Sequence, residues 1–216
     1  MEKRTTPTEG LEIRSLVGDL HIESRDTGAA GRTIVGYAAK FECWSEPIMG
    51  WFRERIARGA FDGCDMQDVI MCFNHRDDAI LARTTSGTLR LEVDDVGLRF
   101  AFEAPHTTVG NDMLELVRRG DVSKCSFRFG VKEDVWQYAG ARNGLDLDER
   151  TILRFSHVVD VSLVTFPAYP ATEASLRRLE KRKQEWLREQ KTESVSRSKM
   201  ESLSRKRLAD LLKLKQ

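Results

Sequence analysis

Serine, histidine and aspartate are residue types that can together carry out nucleophilic chemistry, and three predicted strands of this sequence present Ser126, His75 and Asp160 as candidates. A serine hydroxyl is a poor nucleophile at neutral pH and needs a base within about 2.6–3.2 Å, a requirement that a neutral imidazole can meet. A carboxylate behind the imidazole fixes its tautomer and stabilises the imidazolium that forms after proton transfer. The chain order histidine, serine, aspartate is compatible with such a group, because geometry defines it and chain order does not.

The strand that must carry the serine is predicted by the alternation of residues 121–131. With the period of two that a strand imposes, Cys125, Phe127 and Phe129 fall on one face and Ser126 on the other. The serine therefore points away from the apolar packing. Alone this is a weak signal, because a serine on the polar face of a strand is far more often solvated than nucleophilic.

The histidine and the aspartate each follow from a different strand pattern. Residues 68–75 are apolar on both faces, which predicts an interior strand with His75 at its carboxyl end, where side chains can reach a shared cleft. A lone histidine there is more often structural than a base. Residues 151–166 predict one long strand or two, with Asp160 on the more polar face and His157 on the opposite one. Their partners, rather than their residue types, must decide their roles.

Similar patterns predict the elements that surround these strands. They are one or two short strands in 11–24, a core strand over 33–41, a strand or a helix within 51–61, and a hairpin over 88–104. Residues 111–120 predict a short helix that is capped by Asn111 or Asp112, ends at Gly120 and delivers the chain to the serine strand. Residues 132–150 are polar and interrupted by glycines, which favours a long loop or lid.

Length and composition predict one domain followed by a distinct tail. The 216 residues are 40% hydrophobic and 32% charged, with a formal net charge of +1. Residues 172–216 carry 14 basic and 7 acidic side chains, so the tail is basic and the body mildly acidic. We predict a disordered segment over 1–10, a folded domain over 11–171 and a basic amphipathic helical tail over 172–216. A solvated, partly disordered arm is an equally good interpretation of the tail.

Cysteine usage and hydropathy argue against several function classes. Cys43, Cys64, Cys72 and Cys125 form no CxxC pair and no cluster with histidines, so no metal or other cofactor is predicted and reduced thiols are expected. No apolar run approaches the roughly 20 residues that cross a bilayer, and no signal peptide precedes the domain, so we expect an intracellular protein without membrane contact. Direct nucleic-acid binding ranks lowest, because the tail interleaves its basic residues with glutamates and has one aromatic, Trp186.

Five short motifs follow one another in a characteristic order. They are Gly-Tyr-Ala-Ala-Lys-Phe (36–41), Glu-Arg-Ile-Ala-Arg-Gly-Ala-Phe (54–61), Phe-Asn-His (73–75), Ser-Phe-Arg-Phe (126–129) and Asp-Val-Ser-Leu-Val-Thr-Phe-Pro-Ala (160–168). Their combination resembles the prohead maturation proteases of tailed bacteriophages, a family related in fold to herpesvirus assembly proteases. The resemblance covers about residues 33–175. It implies an α+β fold with a mainly antiparallel, β-barrel-like core and a few flanking helices.

Residue by residue, the resemblance puts the family's serine nucleophile at Ser126, its histidine at His75 and its acidic residue at Asp160. His157 is the alternative third member, because related viral proteases use a second histidine there. The family commonly has Ser-Phe-Gly-Phe in the serine motif, and Arg128 stands here at the glycine position. If the glycine serves close backbone approach to substrate, this departure affects that subsite and not the nucleophile. Backbone amides are the usual oxyanion donors.

The resemblance therefore implies a serine endopeptidase, with 11–171 as the protease domain, that cleaves capsid and scaffold proteins and its own ends. The implied partners are the major capsid protein and its scaffold segment, with the portal protein and further copies of the chain as additional candidates. The implied location is the host bacterial cytoplasm, inside the assembling procapsid. A non-catalytic scaffold or assembly factor with a helical docking tail is the alternative.

Overall fold

The computed structural model of the chain describes residues 11–17, 20–23, 31–48, 50–139, 146–166, 181, 184–185, 187–188 and 192. The chain divides into two compact units, Met1–Thr172 and Glu173–Gln216. In the second unit, the described positions are helical. The predicted disorder of residues 1–10 lies outside the described residues, and the roles assigned to the domain and the tail stay predictions.

The described part of the first unit contains ten strands and one helix. They are β1 (Glu12–Val17), β2 (His21–Glu23), β3 (Thr33–Lys40), β4 (Phe52–Ile56), β5 (Ile70–Phe73), β6 (Ile80–Arg83), β7 (Leu89–Val93), β8 (Gly97–Glu103), α1 (Thr108–Arg119), β9 (Lys124–Gln137) and β10 (Asp148–Val164). One sheet has the order β1-β9-β10-β5-β6, with β4 also paired to β10, and the other has the order β2-β3-β8-β7. The predicted strands in 11–24 and 33–41 and the hairpin over 88–104 are thereby confirmed, and 51–61 contributes a strand.

The predicted α+β class holds in its coarse form. Strands dominate, and most pairings are antiparallel, while β10 runs parallel to both β4 and β5. The barrel-like closure is not seen in the described residues: one sheet ends at β1 and β6 and the other at β2 and β7, so both remain open. In the described part of the first unit α1 is the only helix, so the prediction of several flanking helices is not met there.

The antiparallel pair β9 and β10 forms the centre of the larger sheet. Its strands are 14 and 17 residues long, and their pairing continues from Lys124 and Val164 to Gln137 and Glu149. The prediction of a loop or lid over 132–150 is therefore wrong at both ends. Two of the polar side chains that suggested a loop, Arg150 and Asp134, form an ion pair across these strands.

The apolar face of the serine strand packs into the core as its alternation predicted. Cys125, Phe127 and Phe129 are almost fully buried. The rings of Phe127 and Phe129 lie 4.5 Å apart, and Phe155 of β10 packs edge-on at 4.8 Å from Phe129. This core also contains residues of β3 and β8, among them Phe100, so the second sheet contributes to the surface on which the serine strand rests.

Helix α1 begins earlier than predicted and ends where predicted. Its N-cap is Thr107, whose hydroxyl accepts from the Gly110 amide at 3.1 Å, so the prediction of Asn111 or Asp112 as the cap is wrong. Gly120 closes the helix in the left-handed conformation with φ of 80°, which favours glycine. The chain then enters β9 four residues later.

A buried cluster of charges ties β1 to the central strands. Arg150 of β10 donates to Glu12 at 2.5 and 2.9 Å, to Glu54 at 2.8 Å and to Asp134 at 2.8 Å. Arg14 of β1 donates to Glu12 at 2.7 Å and to Glu54 at 2.8 Å. Paired in this way, charges that would be very costly to bury alone become part of the interior. They fix β1 beside the serine strand.

Candidate active site

Ser126 lies near the start of β9, between two strands that face it. In register it is opposite Ser15 of β1 on one side and Ser162 of β10 on the other. Its Oγ lies 2.8 Å from Nε2 of His75 and 2.9 Å from the carbonyl oxygen of Arg14. The residue has no exposed surface, so an external carbonyl reaches the hydroxyl only after neighbouring atoms move.

His75 reaches the serine from a tight turn just after β5. Asn74 and His75 both have positive φ, 50° and 57°, a region that non-glycine residues adopt only when their surroundings hold them there. The contacts that stabilise this turn come from β10 and the residue after it. The Asn74 amide donates to the Leu163 carbonyl at 2.9 Å, the His75 amide donates to Ser162 Oγ at 3.1 Å, and the Thr165 amide donates to Asn74 Oδ1 at 3.1 Å.

Asp160 lies behind the imidazole and is completely buried. Its Oδ1 accepts from His75 Nδ1 at 2.7 Å and from the Ser162 hydroxyl at 2.9 Å. Its Oδ2 accepts from Nε of Arg128, the residue opposite it in the β9–β10 register. Three donors from three places in the chain thus satisfy one carboxylate, as a buried charge requires.

These contacts determine where the protons lie. The short contact to the carboxylate puts a hydrogen on Nδ1 of His75, so the neutral imidazole presents a lone pair at Nε2 to Ser126. The serine hydroxyl has one hydrogen, which it can donate either to His75 or to the Arg14 carbonyl. The neutral imidazole therefore favours the first arrangement, and the imidazolium, which donates at both nitrogens, favours the second.

The thiol next to this group stays protonated. Cys72 Sγ lies 3.0 Å from Ser162 Oγ, and burial, followed by the nearby charge of Asp160, raises the pKa of the Cys72 thiol to about 12. A neutral thiol is a weak nucleophile. Ser126 is therefore the better candidate for the attacking group.

The structure brings Ser126, His75 and Asp160 together and leaves the other histidines apart from them. His157 is opposite Gly130 in register, and its Nδ1 lies 2.9 Å from Ser156 Oγ. Its Nε2 is buried and has no partner among the described residues.

Three contributors to this group were not predicted from the sequence. They are the Arg14 carbonyl, the Ser162 hydroxyl and the guanidinium of Arg128. Two signals were available: Ser162 lies two residues beyond Asp160 on the same polar face of the strand, and Arg128 stands at the glycine position of the serine motif.

No group of three or more histidine, cysteine, aspartate or glutamate side chains among the described residues is arranged to hold a metal ion. None of the helices in the described part of the chain has the length and apolarity needed to cross a membrane.

A serine hydrogen-bonded to an imidazole, itself hydrogen-bonded to a buried carboxylate, is the arrangement typical of serine hydrolases. Comparison with protein families agrees with that class. Residues 18–185 match the family described as caudovirus prohead serine protease, and the chain belongs to this family. The matched range contains Ser126, His75 and Asp160, whereas β1 precedes it. Neither the curated proteins nor the solved structures gave a match to this chain.

Membership of this family implies a serine peptidase of capsid maturation. A prohead protease of this kind acts on capsid proteins, inside the procapsid in the host cytoplasm.

Proposed function

We propose that this chain is a serine endopeptidase that cleaves the major capsid protein and its scaffold segment during procapsid maturation, with Ser126 as nucleophile, His75 as general base and Asp160 as the residue that orients the imidazole. The observation that carries the proposal is the continuous hydrogen-bond path from Asp160 Oδ1 through both nitrogens of His75 to Ser126 Oγ, with contacts of 2.7 and 2.8 Å. Both distances lie in the range in which proton transfer is efficient.

The proposed reaction follows from these contacts. His75 Nε2 takes the hydroxyl proton as Ser126 Oγ attacks the carbonyl carbon of the substrate peptide bond. The imidazolium is stabilised by Asp160 and then gives its proton to the departing amine, which leaves an acyl group on the serine. A water molecule, deprotonated by the same imidazole, attacks the acyl carbon. The bond between this carbon and Ser126 Oγ then breaks, the imidazolium returns its proton to Oγ, and the acid product leaves.

Further parts of the proposal rest on family membership. Cleavage of its own ends is proposed because a protease enclosed with its substrates is also exposed to its own chain at high local concentration. The portal protein and other copies of the chain are proposed as additional partners. A fold relationship to herpesvirus assembly proteases is part of the same proposal.

The test is labelling of the full chain with a fluorophosphonate, which reacts with activated serine hydroxyls, followed by peptide mapping. We expect one labelled residue, Ser126. Ser123 is a matched control, because it lies three residues away on the same segment and is exposed, whereas Ser126 is buried. Ser123→Ala should label as the wild type does, and Ser126→Ala and His75→Ala should not label. Equal labelling of Ser123, or no labelling at all, would contradict the proposal and favour the non-catalytic assembly factor.

A further inference from the structure

Arg128 links the two parts of the candidate site that come from different strands. It lies on β9 two residues beyond Ser126 and opposite Asp160 in register. Its Nε donates to Asp160 Oδ2, and its Nη2 donates to Oδ1 of Asp77 at 3.0 Å. Asp77 belongs to the turn that carries His75, two residues further on. One guanidinium therefore contacts both the carboxylate and the turn that delivers the imidazole to it.

The buried carboxylate needs this cation. Asp160 has no exposed surface, and its two other side-chain donors are the Ser162 hydroxyl and the His75 imidazole, which must be uncharged to act as the base. A buried carboxylate without a cation is strongly disfavoured. Burial of the Arg128 side chain opposes its own charge, but Asp160 and then Asp77 outweigh this and raise the pKa of the guanidinium. The guanidinium of this pair therefore stays charged.

We propose that Arg128 is a positioning residue for the serine site, an inference that rests on the proposed function. Arg128 fixes Asp160 and the His75 turn in one geometry and partly offsets the negative charge that the imidazole experiences. A guanidinium is suited to this because its planar fork can bond two carboxylates at once, which the single ammonium of lysine does less well. The residue does not touch the reacting atoms, so its effect is exerted through Asp160 and His75.

The charge effect has a definite sign. The imidazole contacts the carboxylate of Asp160 directly, while the charged groups around it are Arg128 from β9 and Arg76, Asp77 and Asp78 from its own turn. Arg76 and Asp78 pair with each other and are largely exposed. Removal of the Arg128 charge leaves Asp160 to stabilise the imidazolium more strongly, so a larger fraction of His75 is protonated, and inactive as a base, at a given pH. The acid limb of a rate profile should then move to higher pH.

The experiment compares Arg128→Met with Arg128→Lys in the full chain. The second-order rate constant for fluorophosphonate labelling is measured from pH 5 to 9, and the imidazole signal of His75 is titrated by NMR. His75→Ala identifies that signal among the four histidines. We expect Arg128→Met to label about 10²-fold more slowly at its best pH, as misplaced catalytic groups commonly do. Its acid limb should rise by roughly one pH unit, the size that a neighbouring charge commonly produces.

Arg128→Lys keeps the positive charge but lacks the planar guanidinium. The acid limb of this variant should stay close to that of the wild type, while its labelling rate should fall by a smaller factor than that of Arg128→Met.

Asp77→Asn removes a negative charge near the imidazole, so its acid limb should move slightly to lower pH. The effect should be small because Asp77 is 78% exposed and solvent screens it. Arg154→Met is the matched control, since Arg154 lies on the partner strand β10 with a 51% exposed side chain that contacts Glu133.

The outcomes separate this inference from the proposed function. Unchanged labelling rates and unchanged His75 titration in Arg128→Met would overturn the role of Arg128 while leaving the serine peptidase intact. Loss of labelling in Arg128→Lys equal to that in Arg128→Met, with no shift in either titration, would also overturn it, since it would indicate a general structural role. If the wild type itself fails to label, the proposed function fails, and the NMR titration alone still decides whether Arg128 controls the protonation of His75.

Discussion

Two buried polar groups lie along the β9–β10 pair, and they differ in how their carboxylates are used. In the charge cluster, Arg14 and Arg150 hold Glu12, Glu54 and Asp134 with multiple contacts, and both partners of every such pair are ionised and buried. Nothing in that arrangement can release or accept a proton without breaking an ion pair. Its carboxylates and guanidiniums therefore fix strands in place and are unsuited to acid–base chemistry.

In the candidate active site, the buried carboxylate is shared between a cation and an imidazole. Asp160 bonds Arg128 with one oxygen and His75 with the other, and the His75 side chain keeps 11% of its surface exposed. The far nitrogen of the imidazole faces a hydroxyl that has a second acceptor available in the Arg14 carbonyl. The contrast indicates that an acid–base site needs a donor with two alternative acceptors, here the Ser126 hydroxyl. Burial of charged groups alone does not identify such a site.

Arg14 belongs to both groups. Its side chain lies in the charge cluster, while its backbone carbonyl accepts the hydrogen bond from Ser126. The charge cluster thereby fixes the position of the acceptor that competes with His75 for the serine proton. Changes in one group should consequently affect the other mainly through the position of β1.

The largest effect is expected from removal of the hydroxyl. Ser126→Ala should lower cleavage of a capsid-derived substrate by about 10⁴-fold or more, because nothing else in the group can form the acyl intermediate. Its free energy of unfolding should stay within about 1 kcal/mol of the wild type, since the change creates little empty volume. Denaturant unfolding and cleavage assays check both values. A Ser123→Ala variant that loses activity while Ser126→Ala retains it would show that the nucleophile is misassigned.

The opposite pattern is expected from the charge cluster. Arg150→Met should lower the free energy of unfolding by about 3–5 kcal/mol, because it leaves three buried carboxylates with one fewer cation each. The guanidinium is only 1% exposed, so water cannot replace it without rearrangement. Labelling of Ser126 per folded molecule should stay close to wild type. Chemical denaturation gives the first value, and stability equal to that of Arg154→Met would contradict it.

The next effect distinguishes the two candidates for the third member of the site. Asp160→Asn keeps the shape of the side chain and removes its charge, so a loss on the order of 10²–10⁴ in kcat is expected. His157→Gln should be mild, because His157 contacts Ser156 and lies opposite Gly130. Cleavage assays, on variants whose circular dichroism spectra match that of the wild type, distinguish Asp160 from His157 as the third member. An inactive, folded His157→Gln beside an active Asp160→Asn would assign the role to the second histidine.

Local patterns predicted the serine strand well because the alternation of Cys125, Ser126, Phe127 and Phe129 is itself the physical cause of their placement. Each apolar side chain must face the core, and the serine is then forced to the other side. The same reasoning placed Asp160 on the polar face of β10. That these groups meet was implied by the family resemblance and not by any local pattern.

The charge cluster and the extension of β9 and β10 could not be predicted in this way. Glu12 and Arg150 are 138 positions apart, and each looks like an exposed polar residue within its own segment. Their burial depends on which strands become neighbours and in which register. The contact between Arg128 and Asp160 depends on register in the same way. The sequence alone therefore showed that Arg128 replaces the family's glycine, but it did not predict the ion pair.

The smallest effect concerns the single hydroxyl that joins the carboxylate to the turn. Ser162 Oγ donates to Asp160 Oδ1 at 2.9 Å and accepts from the His75 amide at 3.1 Å. Ser162→Ala leaves that part-buried amide without its acceptor, which costs about 1 kcal/mol of stability, and removes one of three donors from Asp160. We expect labelling of Ser126 to slow by about tenfold, since the turn loses one of the contacts that hold His75 in its positive-φ conformation.

The matched control for this prediction is Ser156→Ala, on the same strand, whose hydroxyl contacts His157 and not His75. It should label at close to the wild-type rate. A Ser162→Ala variant that is destabilised but labels at the wild-type rate would show that Asn74 and the remaining β10 contacts suffice to place His75. In that case, the hydroxyl of Ser162 would belong with the charge cluster, as a group that fixes strands and takes no part in the chemistry.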